Sequence, residues 1–383
     1  MNGFDASDIA LIEEMAKRFA ESEVRPYLEA WEEACEFPRE LYGKLAEMGW
    51  LGMGYPEELG GTPTPWAIKN ALSITLARHT GSGGLMAGAF SHTIGLPPIL
   101  RHGSDPLKQR VIPDVLSGKA IAALGITEPG GGSDVASLRT TARRDGDHYV
   151  VNGEKTFITS GMRFDWISLA VRTDPENPGP GGISMLAVPG DLPGITRSPL
   201  KKMGWLCSDT ALLHFDNVRV PVENLIGEEG KGFKIIMGNF NGERMSVAAM
   251  ALGFSECCLD EALSWARERK TFGNSIVNHQ VIRHKLVDMR MRIESTRAWL
   301  DSVARRADNG DTGAEWVAEV CMLKNHATQT MQFCADQGVQ ILGGMGFMRG
   351  TACERIYREV KVMMIGGGTE EIMKELAARQ LGI

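Results

Sequence analysis

Glu243 lies in FNGERMSV, within a long apolar helical pattern, and its helical neighbours Asn239, Phe240, Ser246 and Val247 carry no positive charge. Residues three and four apart meet on a helix surface, so no such pair neutralises this carboxylate. A glutamate on an otherwise apolar face is either at the surface or in a functional pocket. In a pocket its chemistry would be proton removal, because burial raises a carboxyl pKa toward neutrality. A second unusual stretch is VMMIGGGTEEIM, where Gly366, Gly367 and Gly368 stand between an apolar run and an acidic helix start. Three successive side chains are given up there, either for a flexible turn or to clear space beside a reacting group. Glu370 and Glu371 follow and are alternative bases, although acids in a first helical turn also complement the helix dipole.

Three further segments could hold a polar ligand. GITEPGGGSDVASLRTTA offers backbone N–H groups and the hydroxyls of Thr127 and Ser133, or it is a plain loop between strands. It is not a P-loop, because no Lys follows the glycines, and no G-x-G-x-x-G opens a helix here. ARERKTFG puts Arg267, Arg269 and Lys270 at a helix C-terminus, where the dipole favours cations. VQILGGMGFMRG places Gln340 and Gly343-Gly344 after a helix, where glycine is a common cap.

The elements that must position these residues follow an α, then β, then α order. Residues 1–119 read as helical, with Leu11, Ile12, Met15 and Phe19 at helical spacing and a cap at Asp5 or Ser7. Pro26, GYPEELGGTPTP, GLPP and GSDP break this region into several helices. Composition shifts near residue 120, and residues 120–229 read as strands. HYVVNGEKTFITSG predicts a hairpin turning at Asn152-Gly153, since Asn-Gly tolerates a positive φ. WISLAVRT, GISMLAVP and TALLHFDNVRV are further strands, and RTDPENPGPGG is an exposed loop. Residues 230–383 return to helices: one running through Glu243 for more than thirty positions, two near 278–308 and 313–340, a Gly-rich turn LGGMGF and a final helix TEEIMKELAARQ. The long pattern suggests a helix in a bundle.

Length and composition fit this layout. A chain of 383 residues can bury a large core in two or three domains. Net charge −7 argues against nucleic acid as a partner. Seven cysteines show no paired spacing, so neither a disulfide framework nor a zinc pattern is expected. Cys257 and Cys258 read as reduced core residues, and a cytoplasmic location is expected. No apolar run approaches the roughly 20 residues needed to span a membrane, and no export signal is seen at the N-terminus.

In this order and at these spacings, TEPGGGSD, VNGEKTFITSG, GERMSVAAMALGF, ERKTFG, VQILGGMGF and GGGTEEIMKELAAR resemble the acyl-CoA dehydrogenase family, over nearly the whole chain. The resemblance implies an α+β multidomain fold: an N-terminal helical domain, a middle β-barrel or sandwich domain and a C-terminal four-helix bundle. It also implies bound FAD, a homotetramer built as a dimer of dimers, and an acyl-CoA substrate. Thr127, Gly132 and Ser133 align with positions touching flavin ring and pyrophosphate, and Thr159 with a flavin-ring contact. Phe157 stands where many relatives carry Trp; Phe keeps a stacking face and loses the indole donor. Arg269, Phe272 and Gln280 align with residues that reach the FAD of the neighbouring subunit. Gln340 and Gly344 lie in the segment meeting its adenine end, and Thr369 matches a contact on the flavin side. Arg269 suits a diphosphate, since guanidinium can bind it bidentately.

In most of the family the acid before GT is the catalytic base, and here Gly367 occupies that place. One reading is an inactive relative. The other follows the long-chain and isovaleryl-CoA dehydrogenases, which this chain resembles in lacking that acid and carrying one before Arg244. On that reading Glu243 removes the Cα proton while hydride leaves Cβ for flavin N5, giving trans-2-enoyl-CoA. The Gly367 N–H and a ribityl hydroxyl would stabilise the thioester oxygen. Substrate contacts would come from Ser133, Phe240, Asn241, Arg244 and Gly368. Arg244 matches the Arg that meets the CoA moiety, with a solvated charge as its alternative. Asn241 stands where relatives often carry Asp. The small-residue stretch GSGGLMAGAF and Gly367 hint at long or branched acyl chains, while His92 and His79 read as structural. Electrons would pass to an electron transfer flavoprotein. The rival readings are a same-fold oxidase or monooxygenase-like enzyme and a non-catalytic CoA-ester or nucleic-acid-associated flavoprotein. No metal is expected.

Overall fold

The computed structural model describes residues 6–383, so the expected cap at Asp5 lies outside the described residues, while Ser7 falls within the first helix. Helices α1 (Ala6–Phe19), α2 (Leu28–Ala34), α3 (Glu40–Glu47), α4 (Trp66–Thr80), α5 (Gly83–Ala89), α6 (His92–Gly95), α7 (Pro97–His102) and α8 (Asp105–Leu116) come first. Ile12 and Phe19 of α1 turn inward, whereas Leu11 faces out. A π-helical stretch, Ala20–Val24, extends α1 toward Pro26. Pro97 opens α7 and Pro106 sits in the first turn of α8, where a missing N–H goes unused anyway.

The middle strands are β1 (Ala122–Gly125), β2 (Thr141–Asp145), β3 (His148–Thr159), β4 (Trp166–Arg172), β5 (Ile183–Pro189), β6 (Ile195–Pro199), β7 (Thr210–Pro221) and β8 (Leu225–Ile226). They form one sheet ordered β6-β7-β3-β2-β4-β5-β8, with β1 also paired to β4. A single residue pair, Thr141 with Arg172, joins β2 to β4. Tyr149, Val151, Leu213 and Phe215 from one half share a core with Ile167, Leu169, Leu186 and Val188 from the other.

The expected hairpin at Asn152-Gly153 is not formed there. Strand β3 runs straight through both residues, and the tight turn lies at Gly146-Asp147, between Asp145 and His148. Gly153 has another task. Its φ is 146°, and a Cβ on it would stand 2.7 Å from the Thr140 Cα. Asn152 uses its side chain to accept a hydrogen bond from the Asn217 N–H at 2.9 Å, beside a register shift between β3 and β7. Close approach of two backbones, rather than a turn, explains this Asn-Gly pair. The loop between β4 and β5 is exposed as expected, and the Arg172 guanidinium at its start pins its middle by donating to the Asn177 and Gly179 carbonyls.

The C-terminal helices are α9 (Gly232–Glu268), α10 (Gln280–Asp308), α11 (Ala314–Leu342), the short α12 (Gly344–Phe347), α13 (Ala352–Ile365) and α14 (Glu370–Leu381). Helices α9, α10, α11 and α13 pack as a four-helix bundle, and α14 lies on α11. The apolar run before the three glycines is therefore the last turn of α13, a helix the sequence reading passed over. The segment LGGMGF likewise includes helix α12 rather than only a turn. Between α9 and α10, Lys270–Thr271 and Asn274–Ser275 form a small hairpin.

Helix α9 joins the layers. Its first turns pack Ile235 and Ile236 against α7, α8 and the sheet, and its middle shares one core with α1, α4 and α11. That close fit needs Gly253, because a Cβ there would stand 2.3 Å from the Ile74 carbonyl oxygen of α4. Gly253→Val is expected to push α4 off α9 and cost about 1–3 kcal/mol or more. A lowered urea midpoint at fixed protein and FAD concentration checks this; an unchanged midpoint would refute the close contact. Among the described residues no helix is long and apolar enough to cross a membrane. All seven cysteines are free, with Cys258 buried and Cys257 half-buried.

Candidate active site

The site is built where the middle of α9 meets α11 and the loop between α13 and α14. Residue Glu243 as a whole is half-buried, but its carboxyl end points inward. Its Oε2 atom is buried and has no hydrogen-bond partner among the described residues. A Cβ placed on Gly367 would stand 3.7 Å from the Glu243 Oε1 atom, so the glycine backbone lies directly against the carboxyl group. Burial raises the Glu243 pKa to about 7, against the opposing pull of Arg244 and Lys324. A carboxyl group so placed holds or releases a proton near neutral pH.

Gly367 and Gly368 have φ of 68° and 112°, a region that favours glycine. The Gly367 carbonyl accepts a hydrogen bond from the Arg244 Nε at 3.1 Å. No hydrogen bond from the Gly367 N–H is made among the described residues. Arg244 is buried; its Nη1 donates to the Asn241 Oδ1 at 2.9 Å, and its guanidinium lies 5.6 Å from the Phe240 ring centre. So Glu243, Gly367, Gly368, Arg244, Asn241 and Phe240 come together. Thr369 caps α14, accepting from the Ile372 N–H at 3.3 Å, and Glu370 is held by Gln329 and Lys374. Glu371 is exposed.

Thr127 and Gly132 line a cavity of about 300 Å³ together with Gly130, Asp134, Thr140 and Gly153. Ser133 is exposed on the same loop. The loop is anchored by Glu128, which accepts from the Arg139 and Thr140 amides at 2.6 and 2.8 Å and from the Lys155 Nζ at 2.8 Å. Phe157 stands out from β3 at 69% exposure on a φ of 61°, next to half-buried Thr159. An exposed ring on a left-handed backbone is a strained arrangement, of the kind kept where a ring must be presented.

Arg269, Phe272, Gln280, Gln340 and Gly344 are not brought to Glu243 within one chain. Arg269 ends α9, roughly 40 Å further along that helix axis. All five are exposed, and Phe272 reaches 95% exposure at φ 52° in the small hairpin. His92 is buried, with Nε2 3.0 Å from the Leu51 carbonyl and a pKa held down to about 4 by burial, so it stays neutral. Sequence reasoning missed Glu128 and Lys155, although both sit inside quoted motifs. It also missed Lys324 of α11, whose side chain is fully buried. A lone Lys in the apolar run VCMLKNHAT was the available signal.

Models of the acyl-CoA dehydrogenase N-terminal, middle and C-terminal domains match residues 7–119, 123–218 and 230–382. The chain belongs to the acyl-CoA dehydrogenase family. It is 36% identical to an acyl-CoA dehydrogenase of Bacillus subtilis over 373 residues, 97% of each chain. It is 35% identical to the mitochondrial long-chain specific acyl-CoA dehydrogenase of Rattus norvegicus over 98% of this chain and 87% of the relative. The crystal structure of acyl-CoA dehydrogenase from Geobacillus kaustophilus superposes with a TM-score of 0.94 at 34% identity, covering 100% of both chains. Members of this family are FAD-dependent oxidoreductases that act on CH–CH groups of acyl-CoA thioesters, so FAD is the cofactor of this chain. Among the described residues no group of His, Cys, Asp or Glu is placed to hold a metal ion.

Proposed function

We propose that this chain converts a saturated acyl-CoA to the trans-2-enoyl-CoA with Glu243 as the general base. The observation that carries the reading is the pairing of Glu243 with Gly367: an inward carboxyl with an oxygen unpartnered among the described residues, lying against the middle glycine of the Gly366–Gly368 loop. Glu243 accepts the proton from Cα. The Gly367 N–H, which bonds to nothing else described, donates to the thioester oxygen as charge develops. Arg244 holds the Gly367 carbonyl and so fixes the direction of that loop. The hydride that leaves Cβ would need an acceptor, the chemistry that FAD would supply when bound.

The side chains present suit that cofactor. Thr127 and Thr159 supply hydroxyls, the Gly132–Ser133 turn supplies amides and a hydroxyl, Thr369 adds another, and Phe157 offers an exposed ring face. Arg269, Gln280, Gln340 and Gly344 form a donor set suited to a diphosphate and adenine, and Phe272 adds an aromatic face. Their distance from Glu243 supports the reading that they serve the FAD of a second subunit in a homotetramer. The exposed Phe272, Met345, Phe347 and Met348 are apolar surface that such assembly would cover. Phe240, Asn241, Arg244, Gly368 and Ser133 serve the acyl-CoA. An electron transfer flavoprotein takes the electrons, and a reducing cytoplasm suits the free cysteines.

Anaerobic titration of the holoenzyme with saturated acyl-CoAs of varied length and branching tests this. Flavin absorbance should bleach with at least one chain class, and failure with all of them would end the reading. The pH dependence is fixed in sign. Only ionised Glu243 accepts a proton, and its pKa is about 7. The reduction rate should therefore rise about tenfold per pH unit below pH 7 and level off above it. A flat profile between about pH 6 and about pH 8 would contradict the assignment of the base.

A further inference from the structure

Lys324 is the second buried cation beside Glu243, and the reaction as described leaves it without a part. Its side chain is fully buried, yet among the described residues it meets no carboxylate at hydrogen-bond distance. A buried ammonium without an anion is costly, so its presence calls for a function. Its Nζ donates to the Met364 carbonyl at 2.8 Å and to the Gly368 carbonyl at 2.8 Å. Arg244 reaches from α9 to the carbonyl between them in the loop, that of Gly367. Two cations from two helices thus take the Gly367 and Gly368 carbonyls of a loop that has no side chains of its own to lock it, and Lys324 ties that loop to the Met364 carbonyl in the last turn of α13.

We propose that Lys324 is a positioning residue for the dehydrogenation. It holds the Gly366–Gly368 loop with the Gly367 N–H turned toward the substrate oxygen, and it gives the Glu243 carboxylate a counter-charge from α11. This rests on the reading of Glu243 as the base. The groups facing Glu243 leave few other sources of charge. On its own helix there is Arg244, already bound to Gly367 and Asn241. On α11 there are Lys324 and Cys321, whose thiol is pushed up by burial and stays neutral. On α14 Glu370 lies near Lys324 but is engaged by Gln329 and Lys374. Burial also lowers the Lys324 pKa to about 8, so it is still charged where Glu243 ionises.

The test compares FAD-loaded wild type, Lys324→Met and Lys324→Gln by the pH profile of anaerobic flavin reduction. The infrared carbonyl band that disappears in Glu243→Gln reads the Glu243 titration separately. In Lys324→Met both the rate profile and the carboxyl band should move up by about one pH unit or more, because the ionised glutamate has lost a nearby cation. The rate at neutral pH should fall at least about tenfold, with acyl-CoA binding changed less than about threefold. Lys324→Gln keeps a donor for the loop, so it should recover part of the high-pH rate while its profile stays shifted. Profiles and carboxyl bands that coincide with wild type in both variants would overturn the proposal, whatever the loss of rate or stability. Should Lys324→Met fail to fold, the Gln profile alone decides. Flavin reduction that persists in Glu243→Gln would remove the base itself, an outcome distinct from failure of Lys324.

Discussion

Glu243→Gln binds acyl-CoA and FAD but loses anaerobic flavin reduction by roughly 10²–10⁴-fold, the range expected for a general base. The substitution keeps shape and volume, and the buried Oε2 gives up no hydrogen bond, because it makes none among the described residues. What disappears is the capacity to take the Cα proton. The same variant should show that this carboxyl opposes folding. Its folded pKa, about 7, lies above the ordinary value of 4.5. The folded state therefore binds more protons between those values, and stability falls as pH rises through that window. Removing the carboxyl should make the protein more stable than wild type at pH 8, by about 3 kcal/mol, and by less than about 1 kcal/mol at pH 5. Urea denaturation at both pH values measures this. A variant that turns over normally, or that is destabilised equally at both pH values, contradicts the role given to Glu243.

Lys155→Met should lose about 3–5 kcal/mol, since it strips the cation from a buried pair and leaves the other charge in place. Lys155 is fully buried, and its Nζ also donates to the Ile126 carbonyl at 3.0 Å. Glu128 would keep its two backbone donors but lose the ammonium it is paired with. The loss falls on the TEPGGGSD loop, so FAD affinity should drop together with the unfolding midpoint. Measurements need one fixed protein concentration and saturating FAD, because both cofactor and assembly shift apparent stability. A loss below about 1 kcal/mol would place this pair among merely tolerated ion pairs.

Helices whose apolar residues keep a regular period were legible from the sequence. Helix α9 showed itself over its whole length because most of its buried positions are apolar. Helix α13 did not, because Glu354, Arg355 and Glu359 occupy buried positions and hide its apolar face. Two of those charges are met by partners distant in sequence: the Gly83 and Trp205 amides donate to Glu359, and Arg355 donates to the Gly81 carbonyl. Lys324 escaped notice for the same reason: a charge in a helix reads as a solvent face until the carbonyls it serves are seen. Asn152-Gly153 misled because the turn signal and the close-approach signal use the same two residue types. Glu243 was legible because its lack of a helical partner is a local fact, whereas its contact with Gly367 spans two elements more than a hundred residues apart.

The central claim is that Glu243 removes the proton from the carbon next to the thioester. A 3-thiaacyl-CoA has sulfur at the β position and cannot lose hydride there, so it isolates proton removal. In D₂O at pH 8, nuclear magnetic resonance should show deuterium entering C2 with the wild-type holoenzyme, and no incorporation above the enzyme-free rate with Glu243→Gln. Equal incorporation by both proteins would mean that another group takes the proton.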